Sequence, residues 1–128
     1  MILIDTSVWI EFFKQNPVYA TDLETLLSKR MVVTIEPIFS ELIYGARNDK
    51  EKKRILSYWN LLPKIAFTAG SLLSVADFAN QHNYHNPGIG LIDAVIVKAA
   101  VENHCKIWTL DGRIVKGVEG DCLFKKAD

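Results

Sequence analysis

Four acidic residues stand where ordinary surface acids do not. Asp5 directly follows the apolar run Ile2-Leu3-Ile4, and Asp111 lies just past the run that holds Ile107 and Trp108. In open parallel sheets, ligands bind beyond the carboxyl ends of the strands, which is where both acids fall. Glu41 has Ile38 three residues before it and Tyr44 three after. Asp93 shares a helical line with Ile96, Val97 and Ala100. Both carboxylates are therefore expected along apolar stripes. Neither has a Lys or Arg at i±3 or i±4: the neighbours are Ile89, Gly90, Ile96 and Val97 for Asp93, and Pro37, Ile38, Tyr44 and Gly45 for Glu41. A buried carboxylate without a cation costs several kcal/mol, on the order of an unpaired buried charge, unless it is protonated or metal-bound.

If the four acids converge, they repel one another. A hard divalent cation relieves that repulsion. Mg²⁺ and Mn²⁺ take oxygen ligands, keep waters and bridge to phosphate. The chemistry served by such a cluster is phosphodiester hydrolysis by activated water. The competing reading is four unrelated acids, acting as caps or distant ion-pair partners, like Glu24, Asp49, Glu51 and Glu102 on their polar faces.

The elements that must position these acids are legible from periodicity and breakers. Strands are expected at Ile2-Leu3-Ile4, Met31–Thr34, Lys64-Ile65-Ala66, Lys106–Thr109 and Cys122-Leu123-Phe124. Helices are expected from Val8 to Phe13 behind Asp5-Thr6-Ser7, and from Asn16-Pro17 to about Arg30. Others should run from Glu36-Pro37 to Gly45, from a cap at Asp49 to about Leu62, from Thr68 to Gln81 and from Leu91 to Asn103. His82 to Gly90 reads as a loop. Strands alternating with helices give an α/β class, a three-layer α/β/α sandwich with a mostly parallel central sheet.

Composition narrows the partners. The 128 residues make one expected domain, 1–128, with 49% hydrophobic and 23% charged residues. Fifteen basic and fifteen acidic side chains cancel. This excludes a module that grips nucleic acid by bulk charge, and leaves a site that grips phosphate through cations. Five bases against two acids between Arg47 and Arg54 form a solvated helix start or a local phosphate-contacting patch. His82 and His85 read as solvated loop residues, and Tyr58, Trp59, Leu61 and Leu62 as core. Cys105 and Cys122 lack metal or redox spacing and read as reduced thiols. With no basic n-region and no apolar span of about 20 residues, the expected location is cytoplasmic, with no membrane partner.

These motifs resemble the PIN-domain nucleases, and among them the VapC-type toxins of toxin–antitoxin pairs. The resemblance runs through Ile2–Ile10 with Asp5, Glu41–Arg47, Leu91–Ala100 with Asp93, and Trp108–Asp111, in the family's order and over essentially the whole chain. It implies a metal-dependent endoribonuclease held inactive by a small cognate antitoxin. Asp5, Glu41, Asp93 and Asp111 would surround Mg²⁺ or Mn²⁺, with Asp5 and Asp93 the main ligands. A hydroxyl from Thr6, Ser7 or Thr109 would orient water or a carboxylate. Helices around Phe39, Leu42, Ile43 and Leu56 would form an antitoxin groove or a homodimer contact. One departure falls after the fourth acid, where Asp111-Gly112-Arg113-Ile114 replaces an acidic-aromatic stretch and Ile114 takes the packing place.

Rival classes fit less well. A phospho-receiver needs adjacent acids after the first strand, and Asp5 is followed by Thr6-Ser7. A haloacid-dehalogenase-like phosphatase needs Asp at position 7, which is Ser7. A catalytically silent PIN-like RNA-binding module stays open as the alternative: its usual mark is lost acids, all four are present, and metal-dependent cleavage of RNA by the purified protein separates the two.

Overall fold

The computed structural model describes residues 1–126. Four strands, β1 (Ile2–Ile4), β2 (Val32–Ile35), β3 (Lys64–Ile65) and β4 (Lys106–Trp108), form one sheet in the order β3-β2-β1-β4. All pairings are parallel, with Ile2 opposite Val32 and Lys106, Ile4 opposite Trp108, and Ile35 opposite Ile65. Every residue of β1 and β2 is buried. Uninterrupted burial of this kind requires cover on both faces of a parallel sheet, which explains the continuous apolar runs.

Helices supply that cover in pairs between successive strands. They are α1 (Thr6–Phe13) and α2 (Pro17–Ser28), α3 (Glu36–Tyr44) and α4 (Asp49–Leu61), then α5 (Ser71–Gln81) and α6 (Leu91–Glu102). A six-residue α7 (Gly112–Gly117) follows β4. The chain steps outward from β1 to β3 and then returns to place β4 on the other side of β1. The order therefore reverses between β1 and β4, and the carboxyl ends of these two strands mark the switch point, where a ligand crevice falls in sheets of this kind.

Local chemistry sets the helix limits. Asn16 caps α2 by accepting the Val18 N–H, ahead of Pro17 at the first position. Residues 29 and 30 fall outside α2, because Arg30 turns left-handed with φ 55°. Asn48, not Asp49, caps α4 through the Glu51 N–H at 2.9 Å. The expected strand at Cys122–Phe124 is a single parallel bridge, Ile107 to Leu123, after a 3₁₀ turn at Gly120–Cys122. α7 has no sequence signal strong enough to set it apart from a loop: six residues that begin and end with glycine show no full amphipathic period.

Trp9 ties the crevice to the core. It is fully buried and packs on Phe39 of α3 and Tyr58 of α4, with ring centroids 5.3 and 5.9 Å apart. That contact fixes the start of α1 beside α3, and so Asp5 and Thr6 beside Glu41. The aromatic expectation holds for Tyr58 and Trp59, which pack against the core, and for buried Leu62; Leu61 faces solvent.

Candidate active site

The structure brings the four acids to the β1/β4 crevice from four parts of the chain. Asp5 extends β1, donating its N–H to the Trp108 carbonyl at 2.9 Å, and is buried. It stands at the N-cap of α1, yet its carboxylate makes no capping bond. Instead Oδ2 accepts the Ser7 hydroxyl at 2.8 Å and the Thr109 hydroxyl at 2.7 Å. Each hydroxyl is itself held by a backbone donor: the Leu110 N–H reaches Ser7 Oγ and the Asp111 N–H reaches Thr109 Oγ1, both at 3.0 Å. A chain of donors thus fixes the carboxylate through Oδ2.

Asp111 caps α7. Its Oδ1 accepts the N–H groups of Arg113 at 2.8 Å and Ile114 at 3.3 Å, and Ile114 is fully buried beneath it. Glu41 departs from the expected apolar burial, because α3 turns it and Tyr44 to solvent while Ile38, Phe39 and Leu42 take the core. The carboxylate is nevertheless held, accepting the Thr6 hydroxyl on Oε1 at 2.9 Å. Asp93 lies in the first turn of α6, half-buried, with Gly90 close behind its Oδ2.

The electrostatics single out Asp93. Its carboxyl is pushed up from the ordinary 3.8 to about 6, first by burial and then by the charges of Asp5, Asp111 and Glu41; Arg113 opposes the shift. Asp93 therefore feels the charges of the other three acids. Among the described residues, no three His, Cys, Asp or Glu side chains stand close enough together to enclose an ion by protein ligands alone. The oxygen-only set and the uncompensated repulsion fit a hard cation of the Mg²⁺ type, which commonly takes one or two carboxylates and completes its shell with water and phosphate.

Other expected features resolve differently. His82 stacks on Phe78 with ring centroids 4.2 Å apart, and His85 is exposed in the loop. The Arg47–Arg54 patch is partly self-neutralised, since Arg47 donates to Glu51 at 2.9 and 2.8 Å. A groove of about 460 Å³ lies between α1, α3 and α4, floored by Ile10, Phe13, Leu42 and Ile55; of the residues expected around such a groove, Leu42 lines it, and Phe39, Ile43 and Leu56 do not. No helix is long and apolar enough to cross a membrane among the described residues.

The family model described as PIN domain matches residues 2–118. The chain belongs to the PIN domain family. Over 68 residues it is 35% identical to the VapC ribonuclease Mb1587 of Mycobacterium bovis and to ribonuclease VapC11 of Mycobacterium tuberculosis. That stretch is 51% of this chain and 51% of each relative, so the chain matches about half the length of these curated relatives. The fold is similar across the full length to VapBC2 of Rickettsia felis, solved bound to a promoter DNA fragment, with TM-score 0.74, 19% identity and 100% of both chains covered. It is also similar to a toxin–antitoxin complex of Klebsiella pneumoniae, with TM-score 0.72 and 16% identity over 97% of this chain and 100% of that one.

Proposed function

We propose that the chain is a metal-dependent endoribonuclease, the toxin of a toxin–antitoxin pair, acting in the cytoplasm. The observation that carries this reading is the meeting of Asp5, Glu41, Asp93 and Asp111 at the β1/β4 crevice, close enough for three of them to raise the fourth. The names of the similar ribonucleases support the activity, and the similar complexes support the partner.

Asp5 and Asp93 would be the main ligands for Mg²⁺ or Mn²⁺, and Asp111 and Glu41 would complete the set through the ion's water shell. The bound ion supplies Lewis-acid activation of water and charge neutralisation at the phosphodiester. Ser7 and Thr109 hold Asp5 in one orientation, so its free oxygen presents a fixed ligand. Asp111 is held through its other oxygen by α7, which keeps its reach short. Glu41, exposed and steadied on one oxygen by Thr6, accepts the proton from the attacking water on the other.

The antitoxin is proposed to bury an apolar segment in the groove floored by Ile10, Phe13, Leu42 and Ile55, and to bring a basic side chain toward Glu41, which lines the same groove. Cleavage-site mapping on total cellular RNA tests the function. Discrete new ends in Mn²⁺, absent in excess EDTA, are expected; intact RNA under both conditions contradicts the reading.

A further inference from the structure

An acidic crevice has an unsolved difficulty with a polyanionic substrate. Carboxylates repel the strand they must act on, and the zero net charge of the chain gives no long-range attraction to offset this. A cation at the mouth of the crevice is needed. Three cations line the groove that contains Glu41, and two are engaged: Arg47 is doubly bonded to Glu51, and Arg54 donates to the Phe13 carbonyl at 3.1 Å and lies 5.1 Å above the Phe13 ring. The third, Lys14 at the end of α1, is a point charge on a flexible stem, not a planar fork.

Arg113 is different. Its backbone is pinned, because its N–H donates to Asp111 at 2.8 Å. Its guanidinium is not: Nη1 reaches the Gly88 carbonyl at 3.4 Å and Nε stands 3.8 Å from Asp111 Oδ1, both at the long end of useful contact. The side chain is 65% exposed, so most of its donors face solvent. Both flanks are firm. Gly88 has φ 81°, and a Cβ there would lie 3.4 Å from Arg113 Cδ. Gly117, at the end of α7, packs so tightly on Ile89 that a Cβ would come within 2.5 Å of it. The loop before the Asp93 helix and the helix after Asp111 thus hold the stem of Arg113 beside the fourth acid and leave the guanidinium free to turn. A planar fork with unspent donors on a firmly held stem suits a phosphate.

We propose that Arg113 is a phosphate-contacting residue of this site, taking a backbone phosphate of the RNA strand beside the bond to be cleaved. The proposal rests on the nuclease reading for its substrate, and is tested by binding rather than turnover. The probe is a single-stranded 2′-O-methyl RNA oligomer, titrated in Mg²⁺ at several salt concentrations, with its intact length checked on a denaturing gel at each point. Arg113→Ala should weaken binding about tenfold and lower the slope of log affinity against log salt by about 0.7, one phosphate contact on a single strand. Arg113→Lys should keep the slope and recover part of the affinity. Equal affinity and slope for wild type and Arg113→Ala overturn the proposal, as does a wild type that does not bind the oligomer. Cleavage of unmodified RNA by the wild type is assayed separately and reports on the nuclease reading alone.

Discussion

Thr109 and Asp5, 104 residues apart in the chain, meet through a 2.7 Å hydrogen bond that joins the carboxyl ends of β4 and β1. The bond makes the sheet's switch point a fixed feature, because the Asp111 N–H holds the same hydroxyl from behind. An acid at a strand end becomes an oriented ligand only with such support.

The hydroxyl clamp yields the first prediction. Thr109→Val removes one donor to Asp5 and strands the Asp111 N–H, while the side-chain volume is nearly unchanged. Metal affinity should fall about 10- to 100-fold, read as the Mn²⁺ concentration giving half-maximal cleavage. Ser7→Ala should act in the same direction, since Oδ2 then keeps a single donor. An unchanged Mn²⁺ requirement in both variants would mean that Asp5 needs no orientation.

The raised carboxyl of Asp93 makes stability depend on pH in a definite direction. Its folded value of about 6 exceeds the ordinary 3.8, so the folded state holds the proton more tightly than the unfolded chain. The stabilising contribution is full below 3.8, falls as pH rises, and is gone above about 6. At pH 7 to 8 in EDTA, Asp93→Asn should therefore melt higher than wild type, by about 1 kcal/mol after allowing for solvent screening of a half-buried group. The advantage should vanish near pH 4. Mn²⁺ at matched ionic strength should raise the melting temperature of wild type more than that of Asp93→Asn. A wild type indifferent to Mn²⁺, paired with a destabilised Asp93→Asn, would make Asp93 a structural residue.

The groove beside Glu41 separates neutralisation from catalysis. Ile10 is 42% exposed on its floor, so Ile10→Asp should leave the fold intact. Expressed alone, wild type and Ile10→Asp should both arrest growth, and Asp93→Asn should not. Co-expression of the antitoxin should rescue the wild type and fail with Ile10→Asp. Equal rescue of both would place the partner elsewhere.

Much of this arrangement was readable in the sequence because it rests on short-range signals. Apolar runs marked β1, β2 and β4, and Asn16-Pro17 and Glu36-Pro37 marked helix starts. Asp5 and Asp111 were recognisable because a strand end next to an acid needs no knowledge of the partner strand. Glu41 was placed among apolar neighbours by spacing alone, yet α3 buries Ile38 and Leu42 and leaves Glu41 outside. Helical spacing gives a face and not which face the rest of the molecule covers. The same limit hid the choice among Thr6, Ser7 and Thr109. The structure divides their work, with Ser7 and Thr109 on Asp5 and Thr6 on Glu41. The Cys122–Phe124 segment failed as a strand because a single bridge to Ile107 ends the sheet, and sheet width is set by tertiary packing.

The most direct test is the rate of cleavage of one RNA by the purified chain, measured in Mn²⁺ and in excess EDTA for wild type, Asp5→Asn and Asp93→Asn. Loss of a charge-stabilising ligand should lower the rate by about 10²-fold or more, with circular dichroism unchanged, and EDTA should abolish wild-type cleavage. Near-normal cleavage by either variant, or full wild-type activity in EDTA, would contradict a metal-dependent site built from these four carboxylates.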